Sequence, residues 1–288
     1  MGAHIIDGNK LASEIYAELA SAVRNLRTRG IIPTLAVIVV GKDPASLIYV
    51  RNKTARAEKI GIGSVHLGLP EETTTADLLA VVERMNTEPT VDGILVQMPL
   101  PAHINSDAVV AAINPHKDVD GFHPLNVGRL AAKQKCHVPC TPQGCMRLIR
   151  TVQSNLAGLH AAVIGRSRIV GQPIGQLLLQ ADCSVTFVHS KTPDPATKVR
   201  LADIVIAAAG APGLVKREWI KPGAIVIDVG INRVADGTVK GRIVGDVDFE
   251  RASTVAGAIT PVPGGFGPMT IACLLANTVA ASQSRLLA

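Results

Sequence analysis

Aromatic residues are scarce: one Trp, two Tyr and four Phe in 288 residues. The repeated ring platforms that stack single-stranded nucleic acid are therefore missing, and the core must be built from Ala, Val, Ile and Leu. Basic blocks are missing too. The 29 Lys and Arg outnumber the 23 Asp and Glu, for a net charge of +6, yet no run of five basic residues occurs. Dispersed charge argues against nucleic acid and leaves a small polyanionic ligand as the use of the surplus. No apolar stretch approaches the about 20 residues of a membrane span; the longest, Ile204 to Val215, contains Gly and Pro. The opening MGAHIIDGNK lacks a basic region followed by an apolar one, so no signal peptide is expected. Five cysteines (Cys136, Cys140, Cys145, Cys183 and Cys273) form no CxxC pair. A disulfide framework or zinc ribbon is disfavoured, and reduced thiols in a cytoplasmic protein are expected.

What is present is an alternation of strand and helix. Leu11, Ile15, Leu19, Val23 and Leu26 recur at helical spacing, predicting a helix over 10–29 that Gly30 ends. TLAVIVVG (34–41), SVHLGL (64–69) and GILVQMPL (93–100) read as strands, with helices over 45–60, 75–86 and 106–113 between and after them. After a Pro, Lys and Cys-rich loop (133–142) the alternation restarts. A helix (143–153) leads to AAVIGRS, a helix from Gly171 to Gln180, then SVTFVHS, DIVIAAAG and AIVIDVG. ITPVPGGFGPMT (259–270) reads as a connector before a last helix over 270–282. The pattern predicts two α/β lobes with parallel sheets and a boundary near residue 140. The last helix is expected to return to the first lobe.

Five motifs bear on chemistry. In AVIGRSRIVGQP (162–173) a buried strand enters a turn at Gly165 and Gly171 opens a helix, where a dinucleotide pyrophosphate would sit. The motif departs from G-x-G-x-x-G, with Ser167 at the second glycine. The next strand ends His189-Ser190-Lys191-Thr192 with no carboxylate to take a ribose 2′-hydroxyl. Arg166 in the turn and Ser190 argue instead for the 2′-phosphate of NADP. Tyr49 and Lys53 are four apart on one helical face; taken alone, a solvated lysine beside a half-buried tyrosine is the commoner reading. Gln97 interrupts an apolar strand near its C-terminal end, where α/β proteins bind ligands. Asp118 and Asp120 lie in an acidic turn, solvated or metal-binding. Pro261–Pro268 is too rigid for a random linker and lets a ligand approach the backbone closely.

ASLIYVRNK, DGILVQMPLP, KDVDGFHP, PCTPQG, VIGRSRIVGQP, IDVGINR and ITPVPGGFGPMT follow one another in this order. With them the chain resembles the bifunctional methylenetetrahydrofolate dehydrogenase/methenyltetrahydrofolate cyclohydrolase (FolD) family from residue 4 to about 280. The resemblance implies a folate-binding catalytic domain (1–139 plus a returning 269–288) and a Rossmann-type NADP-binding domain (140–268), with a cleft between them. It implies Lys53 as the key catalytic residue, Gln97 and Tyr49 as its partners, and Asp120 on the pterin. It assigns Gly165, Arg166, Ser167, Ser190 and Ile231 to NADP, and Pro263 and Gly264 to the folate loop; Phe266 stands where the family usually has Val. A homodimer through the Rossmann domain is implied as well, and no metal.

The residues suit that chemistry. Hydride transfer to NADP asks the protein mainly for alignment. Hydrolysis of the methenyl cation to 10-formyltetrahydrofolate needs an activated water and proton shuttling. A lysine serves if burial keeps it partly neutral, and Gln97 orients it without adding a countercharge. A monofunctional dehydrogenase and a non-enzymatic nucleotide or nucleic-acid binder are the competing readings; neither accounts for Lys53, Gln97 and Asp120 together.

Overall fold

The computed structural model describes residues 2–235 and 241–284, without the side chains of residues 44–46 and 48. The end of the expected returning segment, 285–288, lies outside the described residues. In chain order the elements are β1 (His4–Ile5), α1 (Gly8–Arg27), β2 (Thr34–Val40), α2 (Pro44–Lys59), β3 (Gly63–Leu69), α3 (Thr75–Thr87), β4 (Gly93–Val96), α4 (Ser106–Ala112) and α5 (Pro124–Ala131). They continue with α6 (Cys140–Val152), β5 (His160–Ile164), α7 (Gly171–Gln180), β6 (Ser184–Val188), α8 (Pro195–Val199), β7 (Ile204–Ala207) and β8 (Ile225–Asp228). Last come β9 (Asn232–Val234), β10 (Arg242–Val244), α9 (Phe249–Ala252), β11 (Ala258–Ile259) and α10 (Gly267–Ser284). The chain forms two compact units: Glu14–Cys140 with Ile271–Ala288, and Met1–Ser13 with Thr141–Thr270.

The first unit holds a three-stranded parallel sheet in the order β3-β2-β4. TLAVIVV is apolar at every position but its first because both faces of the sheet are covered. Leu35, Val37 and Val39 pack with Leu274, Leu275 and Val279 of α10. Ala36, Ile38 and Val40 point the other way, to Leu78 and Val82 of α3. The strand predicted over 93–100 stops at Val96. Gln97 N still donates to Ile38 O at 2.9 Å, but Pro99 and Pro101 have no N–H to continue the ladder. Gln97 therefore stands just beyond the strand, not within it.

The second unit holds a six-stranded sheet in the order β1-β11-β8-β7-β5-β6, parallel throughout. β5 lies between β6 and β7, so the chain crosses over β5 on its way from one to the other. Such a crossing opens a ligand site at the carboxyl ends of the strands. Residues 1–13, expected with the first segment, join this unit instead. His4 and Ile5 pair with Ala258 and Ile259, and Gly8 N donates to Gly264 O at 3.1 Å. The segment read as a connector thus begins on the last residue of a strand, β11 (Ala258–Ile259), and α10 starts inside it at Gly267.

Candidate active site

Gly165 ends β5 at φ 124°, and a Cβ there would run into the carbonyl oxygen of Ala208. Only glycine fits. Ser167 Oγ accepts from Val170 N at 3.2 Å and Gly171 N at 3.3 Å. The serine that replaces the second glycine of the dinucleotide pattern therefore caps the amides that open α7. Gly165, Arg166, Ser167 and Ser190 line one cavity of about 680 Å³ at the carboxyl ends of β5, β6 and β7, together with Trp219. No carboxylate lines it among the described residues. A glycine turn without room for a Cβ, an exposed guanidinium and a serine hydroxyl fit the phosphates of NADP.

Ile231 is not brought to that cavity. It lines a second one, of about 450 Å³, with Pro263, Gly264, Phe266 and Asp228. Asp228 is buried and accepts from the backbone N–H groups of Gly230, Asp246 and Val247, each at 2.9 Å. Burial raises its carboxyl to about 6, against those hydrogen bonds and with Asp246 adding to the rise. Asp246 in turn accepts from Ala209, Gly210 and Ala211. The two carboxylates tie down the loops that follow β7 and β8.

In the first unit, α2 places Tyr49 and Lys53 one turn apart. Lys53 is not in water: it is 4% exposed. Its Nζ lies 4.3 Å from the centre of the Tyr49 ring and donates to Gln97 Oε1 at 3.2 Å. Gln97 Nε2 donates to Met98 O at 2.6 Å, which turns the amide oxygen toward the lysine. Burial lowers the Lys53 pKa, partly opposed by Asp120 and Cys140. Asp120 keeps some contact with solvent, yet burial of its carboxyl raises it to about 6, opposed by Lys53 and reinforced by Asp118.

Asp118 is not solvated, and among the described residues no group of three or more His, Cys, Asp or Glu is placed to hold a metal ion. It is buried and accepts from Gly121 N (3.1 Å), Phe122 N (3.3 Å), His123 N (2.8 Å) and Asn126 Nδ2 (2.9 Å). It builds the turn that carries Asp120. Cys140 is buried against the same group, and its thiol donates to Val119 O at 3.4 Å. Burial first, and Asp120 next, push that thiol well above the ordinary range. The sequence reading singled out neither Cys140 nor Asn277 as a site residue. Cys140 opens the quoted PCTPQG motif; a lone Asn in an apolar helix gives no comparable signal.

Residues 6–120 match the catalytic domain of tetrahydrofolate dehydrogenase/cyclohydrolase, and residues 139–286 match its NAD(P)-binding domain. The chain belongs to the tetrahydrofolate dehydrogenase/cyclohydrolase family. Within it, the chain is 56% identical to bifunctional protein FolD 2 of Paracoccus denitrificans over 281 residues, 97% of this chain and 93% of that protein. Identity to bifunctional protein FolD of Rhodospirillum rubrum is 54% over 292 residues, 99% of each. The FolD methylenetetrahydrofolate dehydrogenase-cyclohydrolase of Trypanosoma brucei, solved with NADP cofactor and inhibitor, matches at TM-score 0.95 and 43% identity over 100% of both chains. The Campylobacter jejuni FolD structure matches at 0.95 and 45% over 98% of this chain and 99% of that one. The resemblance drawn from the motifs therefore holds, as does the expectation of an NAD(P)-binding α/β domain. Tyr49, Lys53, Gln97 and Asp120 fall in the family's catalytic segment, and the Gly165 turn in its NAD(P)-binding segment.

Proposed function

We propose that this chain oxidises 5,10-methylenetetrahydrofolate to 5,10-methenyltetrahydrofolate with NADP and then hydrolyses the product to 10-formyltetrahydrofolate, with Lys53 as the proton carrier of the second step. The unit Glu14–Cys140 with Ile271–Ala288 binds the folate; the other unit binds NADP. Gly165, Arg166, Ser167 and Ser190 hold the nucleotide, Arg166 and Ser190 at the 2′-phosphate. Ile231 serves the nucleotide, and Pro263 and Gly264 the folate, from the second cavity. Bound NADP supplies the hydride acceptor.

The observation that carries the reading is the buried Lys53 amine held by a neutral amide oxygen. Burial favours the free amine. The Asp120 carboxylate and the Tyr49 ring favour the ammonium. The opposed influences keep the proton mobile, as a group that activates water and later protonates the opening ring requires. Gln97 fixes where Nζ points. Asp120, with its carboxyl at about 6, is ionised at neutral pH and accepts the paired N–H donors of the pterin.

Two further assignments complete the proposal. The five cysteines are free thiols, which suits the cytoplasm. Among the described residues, no helix is long and apolar enough to cross a membrane. The protein is a homodimer through the nucleotide-binding unit. There β6 is an edge strand, with Phe187 exposed and packed over Gly175. Leu179, one turn further along α7, extends the apolar patch.

The test is Lys53→Met, which keeps much of the stem and removes the amine. Cyclohydrolase should fall about 10²–10⁴-fold while some dehydrogenase survives, so methenyltetrahydrofolate accumulates in a time course. Wild-type hydrolysis by a variant of native circular dichroism would overturn the role of Lys53.

A further inference from the structure

Asn277 is buried in α10, a helix whose neighbouring Cys273, Leu274, Leu275, Val279 and Ala281 sit in the apolar core of the first unit. Asparagine is a poor helix former, and a buried amide costs stability unless bonded. Here the amide reaches two segments far away in the chain. Asn277 Nδ2 donates to Val119 O at 2.8 Å and to Val138 O at 3.0 Å. A side-chain amide has two N–H donors, so both are spent. The same nitrogen lies 3.9 Å from Cys140 Sγ, and that thiol donates to the same Val119 carbonyl.

The two acceptors have a common significance. Val119 directly precedes Asp120, and Val138 lies two residues before Cys140. Both segments are also pressed together at Gly121, which has φ 75°. A Cβ there would meet Pro139 N at 2.6 Å, Val138 C at 2.7 Å and His137 O at 2.9 Å. Asp118 fixes the turn from within, through the Gly121, Phe122 and His123 amides. The Cys140 thiol reaches the turn only at Val119 O, by a weak sulfur donor at 3.4 Å; the Asn277 amide bonds the turn and the 137–140 segment at once.

We infer that Asn277 is a positioning residue for the folate site, holding the Asp120 turn and the Cys140 segment in register beside Lys53. It touches neither reacting atoms nor cofactor and acts through Asp120. The inference rests on the reading of Lys53 and Asp120 as the folate-converting site.

The experiment compares Asn277→Ala, Asn277→Asp and Asn277→Ser with Ser282→Ala and Lys53→Met. Ser282 is buried in the same helix, and its hydroxyl bonds only the helix's own Val279 O, at 2.8 Å. KM for methylenetetrahydrofolate and kcat are measured on the folded fraction, and NADP affinity is read from the fluorescence of Trp219, the single tryptophan, which lines the nucleotide cavity. Misplacing a binding group by about an ångström costs up to about 100-fold in rate. Asn277→Ala should raise the folate KM and lower kcat together by about 10- to 100-fold. NADP affinity should stay native. Asn277→Asp keeps the shape but turns carboxylate oxygens toward two carbonyls, and should be at least as impaired. Asn277→Ser keeps one donor and should be intermediate. Ser282→Ala should leave KM native.

A native folate KM in folded Asn277→Ala, or equal losses of folate and NADP binding, would reduce Asn277 to a stability residue. If even the aspartate variant does not fold, a native KM in Asn277→Ser overturns the inference. Lys53→Met separates the two readings. If Lys53→Met is impaired while the Asn277 variants keep a native KM, only the positioning role fails. If Lys53→Met still hydrolyses normally, the site itself is misread.

Discussion

Lys53 and Asp120 set each other's ionisation, and the carboxylate's share has a consequence for stability. Its pKa moves from the ordinary 3.8 to about 6 in the folded chain, so between those values the folded state binds the proton more tightly than the unfolded one. The stabilisation is complete below about pH 4 and is lost as pH rises through 6. Above that, the native state carries a desolvated carboxylate at a cost of about 1–3 kcal/mol. Asp120→Asn should therefore be more stable than the parent by about that amount at pH 7.5, with the gap closing near pH 4, while folate turnover is lost. Thermal melts at the two pH values measure it. A variant less stable than the parent at pH 7.5 would mean that attraction to Lys53 outweighs the burial penalty. Gln97 was legible as a candidate because it interrupts an apolar run, whereas Tyr49, Lys53 and Asp120 took their roles from the family resemblance of their motifs, since alone they read as a solvated helix face and an acidic turn. Asn277 was not legible, since its meaning lies in two carbonyls 158 and 139 residues away in the chain.

Among the elements, legibility followed length and burial. The strand 34–40 and the helix 171–180 were plain, because a fully covered strand must be apolar on both faces and a helix of three turns shows its period. β1, β11 and the β9–β10 pair have two or three residues each, too few to carry a pattern. α5 was not read from the sequence; the structure shows Pro124 at its first position and His123 Nδ1 accepting from Leu125 N at 3.0 Å. The β5–α7 turn was legible as a nucleotide turn but not in detail, since the capping by Ser167 depends on backbone geometry that the letters do not contain. That geometry makes Arg166 a clean test. Gln172 Nε2 holds the Arg166 backbone oxygen at 3.3 Å, not its side chain, so Arg166→Ala should leave the turn intact. Loss of a charged hydrogen bond costs about 1.5–3 kcal/mol, or roughly 10- to 150-fold in NADP affinity. Trp219 fluorescence titrations should show that loss for NADP and almost none for NAD; equal losses would place Arg166 at the pyrophosphate.

For the whole molecule, the positive balance and the exposed sheet edge point to different partners. The dispersed +6 charge suits the phosphates of a nucleotide and the carboxylates of a folate, neither of which needs a basic block. The sheet edge bears on the proposed homodimer. At one end of the six-stranded sheet β1 has only two residues, whereas at the other end the five residues of β6 pair with β5 alone among the described strands. Natural proteins cover or charge such an edge. Here Phe187 is 40% and Leu179 58% exposed. In the proposed homodimer, a second copy meeting the same patch across a two-fold axis would cover both edges at once. Light scattering should therefore give twice the chain mass. Leu179→Asp should shift the protein to monomer, because each dimer would bury two facing carboxylates, while its exposed position spares the fold. A monomeric parent protein, or a Leu179→Asp dimer of undiminished affinity, would move the interface elsewhere or abolish it.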